Sequence, residues 1–171
     1  NSRTVEAWIK TTTVTQRPIL EYGSPVEGQW FNFNVNSAGK LQLAISNNNI
    51  SSTNSVNDGN WHHVAVVITN DGSPNLTEIQ FYIDGVLEVN SAVGGGGPGN
   101  INTAAAGSDV MIGYSPGLST YFQGDIDEVR IWSIAKTQPQ ISGNMNCELS
   151  GPLGALEASY HFNQGIAGGI N

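Results

Sequence analysis

Positive charge is scarce in these 171 residues: six Lys and Arg stand against 14 Asp and Glu, a formal charge of −8. A nucleic-acid binder neutralises phosphates with a basic patch, so no nucleic-acid partner is expected. Long apolar runs are missing too. None approaches the ~20 residues of a membrane-spanning helix, so no membrane insertion is expected. Cysteine is nearly absent. Cys147 alone cannot close an internal disulfide and lacks the partners of a thiolate metal site, so it reads as an inert structural thiol. Charged residues are only 12% of the chain against 39% hydrophobic, which is not the composition of a disordered tail. There is no initiator Met and no signal peptide, so the chain reads as a mature fragment or excised module, part of a multidomain chain. The length fits one domain, 1–171, large enough to bury a sizeable core, and no boundary or internal repeat divides it.

The few cations are unevenly placed. Residues 41–129 hold no Lys or Arg and nine acids: Asp58, Asp71, Glu78, Asp84, Glu88, Asp109, Asp125, Asp127 and Glu128. Hard oxygen ligands in such excess suit calcium, although acids on separate solvated loops are the plainer account of most of them.

What is present in quantity is alternation with period two. Val5, Ala7 and Ile9 alternate with Glu6, Trp8 and Lys10; Phe31, Phe33 and Val35 with Trp30, Asn32 and Asn34; Ile79, Phe81 and Ile83 with Gln80, Tyr82 and Asp84. Leu41, Leu43 and Ile45 share a face, as do Leu156, Ala158, Tyr160 and Phe162. Such strands bury one face and turn a polar one outward, as antiparallel sheets do. Trp61–Thr69 is apolar on both faces, which predicts an interior strand covered on both sides. Asp-Gly pairs at 58, 71 and 84 mark turns, and Asp84-Gly85 joins two strands in a hairpin. Gly94–Gly99 and the stretch to Gly107 read as loop. Thr137-Gln-Pro-Gln140 carries a capping hydroxyl, an early proline and a Gln three residues on, which predicts one short helix with Ile141 and Met145 inward. Ten or more strands and one late helix make an all-β, two-sheet antiparallel jelly-roll sandwich with one short helix near the C-terminal end.

Four segments in order sharpen this: Thr4-Val-Glu-Ala-Trp-Ile-Lys10, Asp58-Gly-Asn-Trp-His-His-Val-Ala65, Phe81-Tyr-Ile-Asp-Gly-Val86 and Gly124-Asp-Ile-Asp-Glu-Val-Arg-Ile-Trp132. Together they resemble the laminin-G-like, concanavalin-A-like lectin/glucanase jelly rolls of secreted proteins, with pentraxins among their relatives. Leu156–Phe162 followed by Asn163-Gln164-Gly165 resembles the closing strand of modules in large bacterial surface proteins. The resemblance implies an extracellular or cell-surface address. It also implies a first strand before Thr4–Lys10, of which only Asn1–Arg3 stands here. In such domains the acid matching Asp127 often binds a structural calcium; Asp127 is the metal candidate and calcium the cofactor. Pentraxins hold ligand-binding calcium with an acidic loop, and the matching Ser115–Phe122 contains no acid.

For catalysis the sequence offers little. His62 and His63 point to opposite faces of one strand and cannot share an ion. No Gly-x-Ser-x-Gly occurs, and the Glu-x-Asp-x-x-Glu strand of jelly-roll glucanases has no counterpart. Asp125 and Asp127 share a face that continues into Val129 and Ile131, while Glu128 and Arg130, two apart, suit an ion pair. The expectation is no enzyme. Sugar recognition needs an aromatic face beside polar groups. Trp30, Asn32 and Asn34 share a polar face, and Tyr82 extends it if its strand is a neighbour; the same residues could instead only pack. The reading is a non-catalytic recognition or adhesion module of a larger extracellular protein, its partner a glycan or cell-surface ligand. The alternatives are a structural spacer or protein–protein module, and a polysaccharide-active enzyme.

Overall fold

The computed structural model describes residues 1–24, 26, 28–91, 93–95, 99–103, 109–147, 149 and 153–162. Parts of three expectations lie outside these residues: 96–98 of the glycine-rich loop, 104–107 after it, and Asn163-Gln164-Gly165. In chain order the strands are β1 (Arg3–Lys10), β2 (Arg17–Gly23), β3 (Trp30–Val35), β4 (Lys40–Ala44), β5 (Asn49–Ser55), β6 (Trp61–Ile68), β7 (Gln80–Ile83) and β8 (Val86–Leu87). Four more, β9 (Met111–Ile112), β10 (Tyr114–Ser115), β11 (Thr120–Tyr121) and β12 (Asp125–Trp132), precede helix α1 (Gln138–Asn144) and β13 (Leu156–Tyr160).

Two main sheets result. One has the order β13-β12-β1-β6-β7-β8, the other β5-β4-β3-β2-β9, and β10 and β11 pair apart from both. All of these pairings are antiparallel. The inner faces supply the core. Val5, Ala7, Ile9, Val64, Val66 and Phe81 from the first sheet meet Phe31, Phe33, Val35, Leu41 and Leu43 from the second. The Phe33 and Phe81 rings stack between the layers, centroids 6.2 Å apart. Burying each such side chain contributes about 1.5–3 kcal/mol. A one-residue slip would turn every one of them outward, so the core fixes the register.

β6 runs in the sheet interior between β1 and β7, buried on both faces from His63 to Ile68. The β7–β8 turn puts Asp84 at φ 52° and Gly85 at φ 76°, both left-handed, as the expected Asp-Gly hairpin requires. α1 lies against that turn: a side chain at Gly85 would meet Ser142 Cβ at 2.8 Å. The helix is capped as anticipated, with the Thr137 amide donating to Gln140 Oε1 at 2.8 Å. Its buried Ile141 contacts Ala65, Val67 and Tyr82 on the outer face of the first sheet.

Candidate functional site

Strand pairing turns the alternation of β1 into rows across three strands. Thr4, Glu6, Trp8 and Lys10 all point away from the core. Across β6 and β12 their partners give the rows Val67–Thr4–Trp132, Ala65–Glu6–Arg130, His63–Trp8–Asp127 and Trp61–Lys10–Asp125. The segment after β12 folds back over the first two rows and reaches Trp8 in the third, where His63 is also buried. A cavity opens beside Trp8 and Trp61 in the last two rows.

Charge holds the cover down. Glu6 is fully buried, and its Oε1 accepts from Lys136 Nζ at 3.0 Å and from the Trp132 indole at 2.8 Å. Lys136 also lies 4.2 Å from the Trp132 ring centroid. Arg130, 1% exposed, donates to the Asn144 and Cys147 carbonyls at 2.9 and 2.6 Å, and the Trp8 indole donates to the Met145 carbonyl at 2.8 Å. Two side chains of the sheet thus fix residues 144–147 as a wall with three hydrogen bonds. His63, also buried, has Nε2 3.7 Å from Glu6. Burial holds its imidazole down at about 4, against the pull of Glu6, with Arg130 and Lys136 adding to the depression.

Between that wall and Trp61 opens a cavity of about 500 Å³, lined by Trp8, Trp61, Asp127, Glu128, Arg130 and residues 145–147. Trp61 is 43% exposed. Trp8 is half-buried, stands diagonally across from it on the neighbouring strand, and meets His63 edge to face at 5.6 Å. The acids reach this cavity through a bulge. Glu6 pairs with Arg130 but Trp8 with Asp127, so β12 carries one extra residue there, and Glu128 takes φ 49°. Simple alternation aims Asp127 with Val129 toward the core; the bulge breaks that phase and brings Asp127, Glu128 and Arg130 to one opening. This corrects the expectation that the Asp127 face runs on into apolar packing. The Glu128–Arg130 ion pair is present at 2.8 Å, and the other oxygen of Glu128 is 2.8 Å from His161 Nδ1.

Trp30, Asn32 and Asn34 share a face, as expected, but that face belongs to the second sheet and the β10–β11 hairpin lies over it. Asn32 and Asn34 are fully buried. Asn32 donates to Glu21, Asn34 donates to Asn32 Oδ1 at 2.6 Å, and Ser115 of the hairpin stands 3.5 Å from Asn32. A side chain at Gly117 would meet the half-buried Trp30 ring at 3.2 Å. Tyr82 does not extend this face. It sits on β7 in the other sheet, 3% exposed, beneath Ile141 of α1. The four residues are not brought together, because β3 and β7 are not neighbours.

Elsewhere, His62 points away from His63, with Nδ1 2.8 Å from Asp84 and Nε2 3.1 Å from Asp58. Burial alone would lower its imidazole, but the two carboxylates outweigh it and raise it. Cys147 is exposed at the cavity rim. Trp8 and Trp61 were passed over in the sequence. The signal was there, since each is an aromatic on the outward face of its strand; what alternation lacks is that those strands are adjacent.

A family model described as the concanavalin A-like lectin/glucanases superfamily matches residues 1–142. No curated protein matches. Among solved structures, a Bacteroides ovatus protein provisionally described as carbohydrate binding is 25% identical with a TM-score of 0.67; the alignment covers 94% of this chain and 45% of that one. Domain 4 of AbnA, an extracellular arabinanase of Geobacillus stearothermophilus solved with arabinotriose, is 22% identical with a TM-score of 0.56, over 84% and 66% of the two chains. The carbohydrate-binding module CBM40 of the Ruminococcus gnavus IT-sialidase, bound to α2,3-sialyllactose, is 15% identical with a TM-score of 0.62, over 83% and 80%. The last two are likenesses of fold. Among the described residues no helix is long and apolar enough to cross a membrane.

Proposed function

This chain belongs to the concanavalin A-like lectin/glucanases superfamily, and from that premise we propose that it is a non-catalytic carbohydrate-binding module of a larger secreted or cell-surface protein, serving recognition or adhesion. The observation that carries this reading is the opening beside Trp8 and Trp61. A sugar ring presents an apolar face and a rim of hydroxyls. The exposed Trp61 ring offers the matching apolar surface, and the Asp127 carboxylate beside it offers acceptors for the hydroxyls. The indole N–H of Trp8 and the guanidinium of Arg130 are already bonded to the 144–147 wall, so the site is built before a ligand arrives and little ordering cost remains. The provisional description of the Bacteroides ovatus relative points the same way.

The non-catalytic part of the reading rests on the acids. Glycoside hydrolysis uses two carboxylates with separate roles across the bond. Here both oxygens of Glu128 are engaged, by Arg130 and by His161, which leaves Asp127 without a free partner in the cavity. The test is a glycan array probed with the wild-type chain and with Trp61→Ala. Binding to a defined set of glycans by the wild type, lost in the variant, supports the module. Silence across neutral and acidic polysaccharides returns the chain to the spacer reading, and release of reducing ends from a bound glycan returns it to the enzyme.

Calcium belongs to the proposal at one place only. Asp127 lines the cavity, and one of its oxygens accepts from the Glu128 amide at 2.8 Å. Among the described residues no three His, Cys, Asp or Glu side chains converge there, and calcium takes six to eight oxygens. The donor set fits only an ion held mainly by backbone oxygens and water. Melts with millimolar calcium against chelator test it: a rise in midpoint lost in Asp127→Asn supports the ion, and identical melts remove it.

A further inference from the structure

Three cations are already spoken for: Arg130 and Lys136 in ion pairs, and Arg3 over the Tyr22 and Phe31 rings. Lys10, Arg17 and Lys40 make no ion pair among the described residues, and two of these three border one cleft. It has a volume of about 590 Å³ and lies at the end of the sandwich where β1 leads into the loop Thr11–Gln16. Lys10 and Arg17 stand on its border with Thr12, Thr15 and Asp125. Arg17 is poorly satisfied: among the described residues its one hydrogen bond reaches the Tyr121 carbonyl at 3.4 Å, and its Nε has no partner. Lys10 is exposed, and although it faces Asp125 across the strand pair, the two form no ion pair. The loop is stiffened from within. Thr11 donates to the Gln123 carbonyl at 2.6 Å, and Thr13 bonds Thr15.

This cleft adjoins the tryptophan cavity along β1, β12 and the lead-in to β6. Trp8, Trp61 and Asp127 line the cavity; Lys10, Gly59 and Asp125, each two residues along, line the cleft. Two residues of strand are about 7 Å. Gly124 makes the junction close: its φ is 135°, and a Cβ there would meet the Lys10 carbonyl at 2.0 Å, so β12 enters against the end of β1.

We infer that the Lys10–Arg17 cleft is a second subsite, which takes a carboxylate- or sulfate-bearing unit of the oligosaccharide whose neighbouring unit lies at Trp8 and Trp61. Two under-used cations bordering one cleft that threonines also line suit an oxyanion group. The chain's charge of −8 does not forbid this, because charges beyond the ~8 Å screening length at physiological salt contribute little. The oligosaccharide part of the inference rests on the glycan reading above; the anion cleft does not, and the experiment separates them. Amide NMR titrations are run with sodium sulfate, with a uronic-acid trisaccharide and with the neutral hexose trisaccharide of the same linkage, on wild type, Lys10→Gln/Arg17→Gln and the surface variant Lys10→Glu. Sulfate should shift the amides of Thr12, Thr15 and Gly124 in the wild type and not in the variants. The uronic trisaccharide should bind at least fivefold more tightly than the neutral one, an advantage lost in both variants and at high salt. Sulfate shifts without binding of either sugar would sustain the cleft and sink the glycan reading. Equal affinity for the two sugars, or sulfate shifts unchanged in Lys10→Glu, would overturn the inference.

Discussion

The two sheets each turn a polar face outward, and the chain covers both faces, with different materials. Over the first sheet the cover is the segment after β12, fastened by formal charge: Glu6, Lys136 and Arg130 are all buried beneath it. Over the second it is the β10–β11 hairpin, whose Ser115 meets Asn32, itself bonded to Glu21 and Asn34. The amide-rich face closes, and Asn32 and Asn34 lose all exposure. The charged face closes over its first two rows and over His63 in the third, leaving two tryptophans beside a cavity. Polar residues on an outward strand face therefore do not by themselves mark a binding surface. Which face stays open is decided by where the covering segment stops.

The widest separation between the two faces should come from removing a buried charge. Lys136→Met strips Glu6 of its closest cation, and losing one partner of a buried pair costs about 3–5 kcal/mol. In a chain of this length that is a fall on the order of 10 °C in Tm, read by calorimetry. A variant that melts within a degree or two of wild type would mean that charge does not fasten the cover.

Acid should distinguish the faces next. His63 is held near 4 when folded against 6.5 unfolded, so the unfolded chain binds the extra proton between those values. Its contribution is fully present above pH 6.5 and is lost as pH falls toward 4, roughly 3 kcal/mol in all. His62, raised and partly exposed, runs the opposite way and its effect is small. Hydrogen exchange at pH 7 and 4.5 should show residues 133–147 losing protection with the hairpin at 113–122 holding. Equal loss over both covers would erase the distinction.

On the amide side, Asn32→Ala leaves Glu21 without that donor inside the cover and should cost about 2 kcal/mol, with faster exchange confined to the hairpin. Least of all in stability, Trp61→Ala should change the melt by under about 0.5 kcal/mol, because the ring is largely free of the core. Its effect belongs to binding.

How far these differences could be read in the sequence depends on whether the residue period survives. β1, β3 and β7 keep it, and their inward Val5, Phe33 and Phe81 were identifiable at sight. β2 does not: a register shift between Pro18 and Leu20 buries Ile19 and Leu20 together, so Arg17–Gly23 gives no alternating signature. β5 is too polar to declare itself, with Asn49, Ser51, Ser52 and Asn54 along it. At the site, the Glu128–Arg130 pair was legible from its spacing. The bulge that turns Asp127 outward was not, because it depends on the register of β12 against β1. Nor could alternation tell that Trp30 would be covered and Trp61 left open, since both stand on outward faces and only the path of distant segments separates them.

Those indoles offer the most direct measurement. The chain has four tryptophans, and each side-chain N–H gives its own NMR signal. On titration with a glycan that the array identifies, the account predicts that Trp61 and Trp8 shift, while Trp30 under the hairpin and Trp132 on Glu6 stay in place. Movement of the Trp30 signal with Trp61 unchanged would put the ligand on the other sheet and contradict it.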